Sequence, residues 1–323
     1  MHQPCELSSV IVLGGTGWVG RHVCAALRAQ GSRVLAVGRH SPAGPADTAF
    51  QRLDLSTASV DTLRDLFESH RADAVVNATD VLNATDGWEH TDEVLWHGNV
   101  TVVERIVAAV EAARPISLVH LGTVHEYGPI PRGRLQREDT DPAPVGTYAR
   151  TRLAGSDTVL RAARAGRITG TVLRLVNVCG PHPSPMTFPG KLLRVFDEAA
   201  RVRAAGGAHR PTIRVARARR DLVDVRDTAS AVLSAASGAA SGEAVNIGTG
   251  RATSMVHLVR SLARISGLGG DGVLLETAPP GELGASWLAV DPAKARALLG
   301  WTPAFGVERS LRDMWNSRGD PTT

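Results

Sequence analysis

Short apolar runs recur through the first half of the chain, and between them apolar residues return every three or four positions. Residues 10–13 read VIVL, residues 33–37 RVLAV and residues 73–77 DAVVN. Continuous β-branched runs of this kind suit strands buried on both faces. Further runs at 117–121 and 171–176 extend the series, and helical periodicity fills 93–113 and 145–165. Strands alternating with such helices predict a parallel sheet with crossover connections, the α/β doubly wound arrangement.

After residue 177 the rhythm changes. CGPHPSPMTFPGK is rich in Pro, Gly and Ser, as loops are, and a helix-like stretch and a basic run at 210–220 follow it. Further on, VDVRDTASAVLSAAS reads as a strand end feeding a helix, and EAVNIGTG as another strand. The expected organisation is a first region over 1–176 and a smaller second region over 177–323, with 222–250 returning to the first. No internal repeat or low-complexity tract interrupts it.

The first strand runs into a glycine-rich turn, VIVLGGTGWVGRHVCAALRAQG, with Gly14, Gly15, Gly17 and Gly20 between the strand and an amphipathic helix. Gly15, Gly17 and Gly20 satisfy GxGxxG, and the strand–turn–helix context gives that pattern its meaning. Glycines there allow a tight turn and close approach to a pyrophosphate, whose charge sits on the helix N-terminus. A dinucleotide is therefore expected against Gly14, Gly17, Trp18 and Val19. About 20 residues past such a loop an NAD site offers a carboxylate to the ribose, whereas this chain offers Gly38, Arg39 and His40. A guanidinium suits a 2′-phosphate, so NADP(H) is favoured over NAD, against the plainer reading of a solvent-facing Arg39. Asp54, followed by Leu55, is placed for the adenine or, equally, as the cap of a helix starting near Thr57.

Composition narrows the class. A chain of 323 residues buries roughly three quarters of its unfolded surface, enough for one large or two modest domains. The net charge is +4, and arginines are interleaved with acids along the whole length. That pattern describes a solvated surface with at most one local anion site in 210–220, and it argues against a nucleic-acid partner. Lysine is nearly absent, with only Lys191 and Lys294. Cys5, Cys24 and Cys179 form no CxxC pair, the histidines show no metal-ligand spacing, and no apolar segment reaches membrane length. A cytoplasmic, metal-free protein without a membrane anchor is expected.

Taken in order, GGTGWVG, LDL at 53–55, Asn99, LGTVHEYG at 121–128, Tyr148 with Arg152, RLVNVCGP at 174–181, RRDLVDVRD at 219–227, VNIGTG at 245–250 and DPAKARALLGWTP at 291–303 resemble the extended short-chain dehydrogenase/reductase family. The resemblance runs nearly end to end and implies a Rossmann domain with a smaller substrate-binding region. It implies that Thr123 and Tyr148 hold and protonate a sugar carbonyl, that Asn77, Ala78, Thr79 and Asn99 join the cofactor site, and that Asn99 lies near the catalytic helix and helps order local backbone and water. Asn177 and Arg220 are implied at the substrate diphosphate, His125 close to the sugar, and a homodimer through the helices that contain Asn99 and Tyr148. One position departs from the pattern: the family's Lys four residues after the Tyr is Arg152 here. Arg152 keeps the charge that supports a phenolate and a contact to the ribose, yet its planar fork differs from a point ammonium.

Within the family, 4,6-dehydratases follow the Thr with Asp and Glu, where this chain has Val124 and His125. Elimination of water then lacks its acid and base. Epimerases keep their NAD, whereas a net reductase exchanges NADPH, and Arg39 argues for the latter. GTVHEYGP and the PHPSP loop most resemble dTDP-4-keto-6-deoxyhexose 4-ketoreductases of deoxysugar biosynthesis. The expected function is reduction of that C4 ketone. An epimerase with bound NAD, and a non-catalytic dinucleotide-binding protein suggested by Arg152, stand as alternatives.

Overall fold

The computed structural model describes residues 7–41, 49–80, 90–269, 272–279 and 284–319; Cys5 and the extreme N-terminus lie outside them. Six strands come first: β1 (Ser9–Leu13), β2 (Arg33–Gly38), β3 (Ala49–Arg52), β4 (Ala74–Asn77), β5 (Ser117–Thr123) and β6 (Thr169–Leu175). They are followed by β7 (Asn177–Cys179), β8 (Thr212–Ala216), β9 (Arg219–Asp224) and β10 (Ala244–Ile247). One seven-stranded sheet has the order β10-β6-β5-β4-β1-β2-β3, and every pairing in it is parallel. β1, β4 and β10 are buried along their whole length, which is why their sequences are continuous apolar runs and not alternating ones. β10 reaches the far edge from the second half of the chain.

Helices cover both faces. On one, α1 (Trp18–Ala29) lies beside the helix at Val225–Ala236 over a core that includes Val10, Val12, Leu27, Val232 and Ile247. On the other, the helices at Val60–Ser69, Val102–Ala112 and Gly146–Arg164 enclose Ile11, Leu63, Phe67, Ile106, Leu118 and Val159. The helical segment expected over 93–113 is present, with one π-helical turn at His97–Thr101 between its two α-helical parts. Its cause lies across the interface. Gly155 of the Gly146–Arg164 helix approaches the Asn99 carbonyl so closely that a Cβ would overlap it. Asn99 Nδ2 also donates to Thr151 Oγ1 at 3.1 Å. A widened turn lets the two helices touch there, and such turns gather at functional sites.

A third core lies beyond the ends of the sheet strands. Phe196, Leu192 and Leu193 from the helix Phe188–Ala204 pack with Leu258, Leu262, Met314 and Trp315 and with Ile213 and Val215 of β8. In β8 the side chains alternate, Thr212 and Arg214 outward and Ile213 and Val215 inward, so most of the basic run faces solvent. β9 pairs with β7 and carries Arg220 toward the large sheet. The sheet order reverses between β1 and β4, and the crevice outside the carboxyl ends at such a reversal is where doubly wound folds bind ligands.

Candidate active site

A cleft of about 1310 Å³ opens at that reversal, between the sheet and the third core. Pockets for drug-sized ligands run to roughly 300–1,000 Å³, so the cleft exceeds a single pocket of that kind. Gly14, Gly17, Trp18 and Val19 form one end of it. Gly14 has φ of +76°, and a Cβ on it would lie 2.8 Å from the Ala78 carbonyl oxygen, so the turn packs on the end of β4 only as glycine. The Gly14 and Gly15 amides donate to Val37 O at 2.9 and 3.1 Å, which ties the turn to β2. The N-cap of α1 is Gly17, with no side-chain cap and no acid in the first turn. Its leading N–H groups and dipole are thus available to an anion. Trp18 Nε1 donates to Pro181 O at 2.9 Å and fastens this helix start to the loop after β7.

Farther along, Arg39, Asp54 and Leu55 line the same cleft, and Arg39, His40, Arg52 and Asp54 surround an adjoining hollow of about 270 Å³. Arg52 enters through sheet register, since it pairs with Gly38; the sequence offered no reason to set it beside Arg39. Asp54 Oδ1 accepts from Ser56 N at 3.0 Å and Ser56 Oγ at 2.7 Å. The following helix is capped by Ser59, whose Oγ accepts from Thr62 N. Asp54 therefore fixes a turn, and the reading of it as a helix cap is corrected.

At the middle of the cleft stand Thr123, Tyr148 and Arg152, with Ala78 and Thr79 on the wall. Thr123 closes β5 and caps a short 3-10 turn, Val124–Tyr127, accepting from His125 N at 3.4 Å while Glu126 Oε1 accepts from the Thr123 amide at 2.9 Å. The Thr123 hydroxyl keeps its own hydrogen for a ligand. Arg152 is buried beneath, donating to Thr79 O at 3.3 Å and to Leu121 O. Tyr148 donates its hydroxyl to Asp80 Oδ2 at 3.2 Å. Burial, followed by the Asp80 carboxylate, pushes the Tyr148 phenol well above the ordinary tyrosine range, and the Arg152 charge offsets this only in part. No motif spacing marks Asp80 in the sequence.

His125, Asn177 and Arg220 line the opposite side together with Met186, Phe188 and Met255. Burial and then the Arg220 guanidinium lower the His125 pKa to about 4, so its imidazole is neutral near pH 7. It can donate or accept a hydrogen bond, but it carries no proton to spare. Asp221 binds the Thr249 and Gly250 amides, and Asp224 pairs with Arg226. Among the described residues, no three His, Cys, Asp or Glu side chains gather as a metal site. No described helix is long and apolar enough to cross a membrane.

Two residues expected at the cofactor stand behind the wall instead. Asn77 is fully buried, with Oδ1 accepting from Thr79 N and Oγ1 and Nδ2 donating to His120 Nδ1 at 3.0 Å. Asn99 spends its amide on Thr151, which in turn donates to Tyr148 O. Both hold the backbone that presents cleft residues; neither faces the cleft itself. His120, bonded in this way, carries its proton on Nε2, and burial followed by the Arg152 charge lowers its pKa to about 3. Unfolded, the same imidazole has a pKa of about 6.5. Below that value the unfolded chain takes a proton that the folded chain refuses, so stability falls as pH drops toward the folded value, by up to about 1.4 kcal/mol per pH unit. Urea midpoints for this protein and for His120→Gln, measured from about pH 7 to about pH 5, should show a shallower decline in the variant. Parallel declines would show that His120 is not the group responsible.

The NAD dependent epimerase/dehydratase family matches residues 10–248. A dTDP-6-deoxy-L-talose 4-dehydrogenase (NAD(P)(+)) of Kitasatospora kifunensis is 41% identical over 312 residues, 96% of this chain and 95% of that one. UDP-glucose 4-epimerase 2 of Oryza sativa subsp. japonica is 27% identical over 356 residues, covering 97% of this chain and 82% of its own. Among solved structures, the UDP-glucose 4-epimerase of Thermus thermophilus in complex with NAD has the same fold, with a TM-score of 0.81 at 24% identity over 97% of this chain and 99% of that one. With a matching family over most of its length, a glycine turn at the sheet reversal and Thr123 and Tyr148 in one cleft, the chain belongs to the NAD dependent epimerase/dehydratase family, the extended short-chain dehydrogenases/reductases.

Proposed function

We propose that this protein is an NADPH-dependent ketoreductase that reduces the C4 ketone of a dTDP-linked 4-keto-6-deoxyhexose. The observation that carries the reading is the cleft centre, where a protonated Tyr148 phenol and the Thr123 hydroxyl share a cavity large enough for cofactor and nucleotide sugar together. The similarity to a dTDP-6-deoxy-L-talose 4-dehydrogenase supports the substrate class, since the reverse of that oxidation is reduction of the 4-ketone. The cofactor, when bound, supplies hydride to the carbonyl carbon. Thr123 donates a hydrogen bond to the carbonyl oxygen and Tyr148 gives it a proton, so ketone plus hydride plus proton becomes the alcohol. Arg152 stabilises the phenolate left behind, and solvent reprotonates it before the next turnover.

Gly14, Gly17, Trp18 and Val19 hold the pyrophosphate and its surroundings, with Asp54 and Leu55 toward the adenine and Ala78 and Thr79 toward the nicotinamide half. Arg39, His40 and Arg52 hold a 2′-phosphate in the adjoining hollow. On the other side, Asn177 and Arg220 bind the sugar's diphosphate, and neutral His125 hydrogen-bonds the hexose. The folding units follow the same division, a dinucleotide-binding part over 1–176 joined by 222–250 and a substrate-binding remainder. A homodimer through the helices bearing Asn99 and Tyr148 is supported by the exposed Trp96 and Val145 on them or beside them. NADPH and nucleotide sugars are cytoplasmic pools, and the protein is proposed to work there.

Arg39→Asp removes a cation from the 2′-phosphate hollow and adds a repelling charge. NADPH affinity is expected to fall at least tenfold relative to NADH, on the scale of one lost charge-assisted contact of about 1.5–3 kcal/mol. Fluorescence titration with both nucleotides checks this, and an unchanged preference would remove the NADPH assignment. The family's epimerases favour a second reading, tight NAD with no net redox change. Incubation with the 4-ketone of dTDP-6-deoxy-L-talose and NADPH separates the two, because only the reductase consumes reduced nicotinamide in step with the sugar.

A further inference from the structure

The charged groups that act on the Tyr148 hydroxyl come from three elements. Asp80, on the segment leaving β4, accepts its hydrogen at 3.2 Å. Arg152 approaches from one turn along the same helix, and Glu126 acts from the turn after β5. Glu126 is already engaged, since Arg174 Nε donates to its Oε2 at 2.7 Å. His125 and Arg220 line the cleft beyond, and the former is neutral. Among the described residues, the balance at the phenol is therefore set chiefly by Asp80 against Arg152. Arg152 is held on two backbone carbonyls, Thr79 O and Leu121 O. Asp80 directly follows Thr79, whose amide and hydroxyl are both bonded to Asn77. The carboxylate thus follows a braced residue whose carbonyl also receives the Arg152 guanidinium.

Taking Tyr148 as the proton donor of the reading above, we propose that Asp80 is a positioning residue that keeps the Tyr148 phenol protonated and aimed, cancelling the acidifying effect of the Arg152 guanidinium. A tyrosine beside an uncompensated cation loses its proton readily, which serves alcohol oxidation, where the phenolate must accept. A tyrosine bonded to a carboxylate keeps its proton, which serves ketone reduction, where it must give one. The pairing of Asp80 with Arg152 sets the pH range of each direction: reduction persists into alkaline solution, and oxidation of the alcohol rises with pH throughout. The equilibrium of the reaction is untouched.

The chain has two tyrosines, Tyr127 and Tyr148, so the phenol can be read directly in the protein without cofactor. Tyrosinate absorbance is followed against pH, and the trace of the matching Tyr148→Phe protein is subtracted to leave Tyr148 alone. Asp80→Asn is expected to bring the Tyr148 signal about one pH unit or more below that of the unsubstituted protein, and Asp80→Glu to return it upward. In turnover, the rising limb of alcohol oxidation with NADP+ should move to lower pH by the same amount in Asp80→Asn. If Asp80→Asn ionises Tyr148 no earlier than the unsubstituted protein does, the proposal is overturned. The absorbance titration involves no turnover, so it decides the role of Asp80 even if the ketoreductase reading fails for want of NADPH consumption.

Discussion

Tyr148→Phe is expected to lower kcat for ketone reduction on the order of a thousandfold, the usual scale for loss of a positioned general acid, while NADPH affinity stays unchanged. The substitution removes one oxygen and leaves the ring, so the half-buried packing of residue 148 is retained. Thr123 still donates to the carbonyl oxygen, but protonation must then come from water that no side chain aims. KM for the sugar should change little, because the phenol acts on charge that develops during reduction more than on the ground state. Stopped-flow measurement of NADPH oxidation, with a separate binding titration, checks both halves. A variant that retains most of its rate would show that the proton comes from elsewhere.

Arg174→Met should have the largest effect on stability, about 3–5 kcal/mol. Glu126 is inaccessible and accepts from Arg174 Nε, Ser156 Oγ and the Thr123 amide at 2.7, 2.9 and 2.9 Å. The Arg174 guanidinium also lies 4.4 Å from the centroid of the Tyr127 ring, whose hydroxyl donates to Asn246 Oδ1 at 2.9 Å. Removing the arginine leaves a carboxylate buried without its cation, which is costlier than lacking the pair altogether. Arg174→Met with Glu126→Gln should therefore recover part of the loss. Urea unfolding of the unsubstituted protein, the single variant and the double variant measures this, and equal stabilities for all three would show that the pair does not hold the fold. Since the Glu126 carboxylate also holds the Thr123 amide, the single variant should lose activity along with stability.

Much of this site is legible locally. The glycine turn follows an apolar strand and opens a helix, so a few consecutive residues announce it; Gly14, Gly17, Trp18 and Val19 do line the cleft. Thr123 and Tyr148 are recognisable because each ends or opens an element in the expected order. Asp80 is not legible, since its meaning depends on a partner 68 residues away with no pattern linking them. Arg52 reaches the basic hollow only through the pairing of β2 with β3. The π-helical turn at His97–Thr101 is hidden for another reason: one widened turn barely disturbs a helical repeat, and its cause is Gly155 on another helix. Asn77 and Asn99 show the limit of reading side-chain type, because a buried amide that braces a wall and one that faces a ligand are the same residue in a string.

Net transfer of hydride from NADPH to C4 of a dTDP-4-keto sugar is what separates the proposed reductase from an epimerase. NADPH carrying deuterium at its transferable position tests it most directly, with the 4-ketone of dTDP-6-deoxy-L-talose as substrate and mass and NMR analysis of the sugar formed. The expected product is an alcohol labelled at C4, with one deuterium delivered for each NADPH consumed. Ketone recovered unreduced with NADPH intact, while dTDP-6-deoxy-L-talose itself is inverted at C4 without added nicotinamide, would contradict it and make the protein an epimerase.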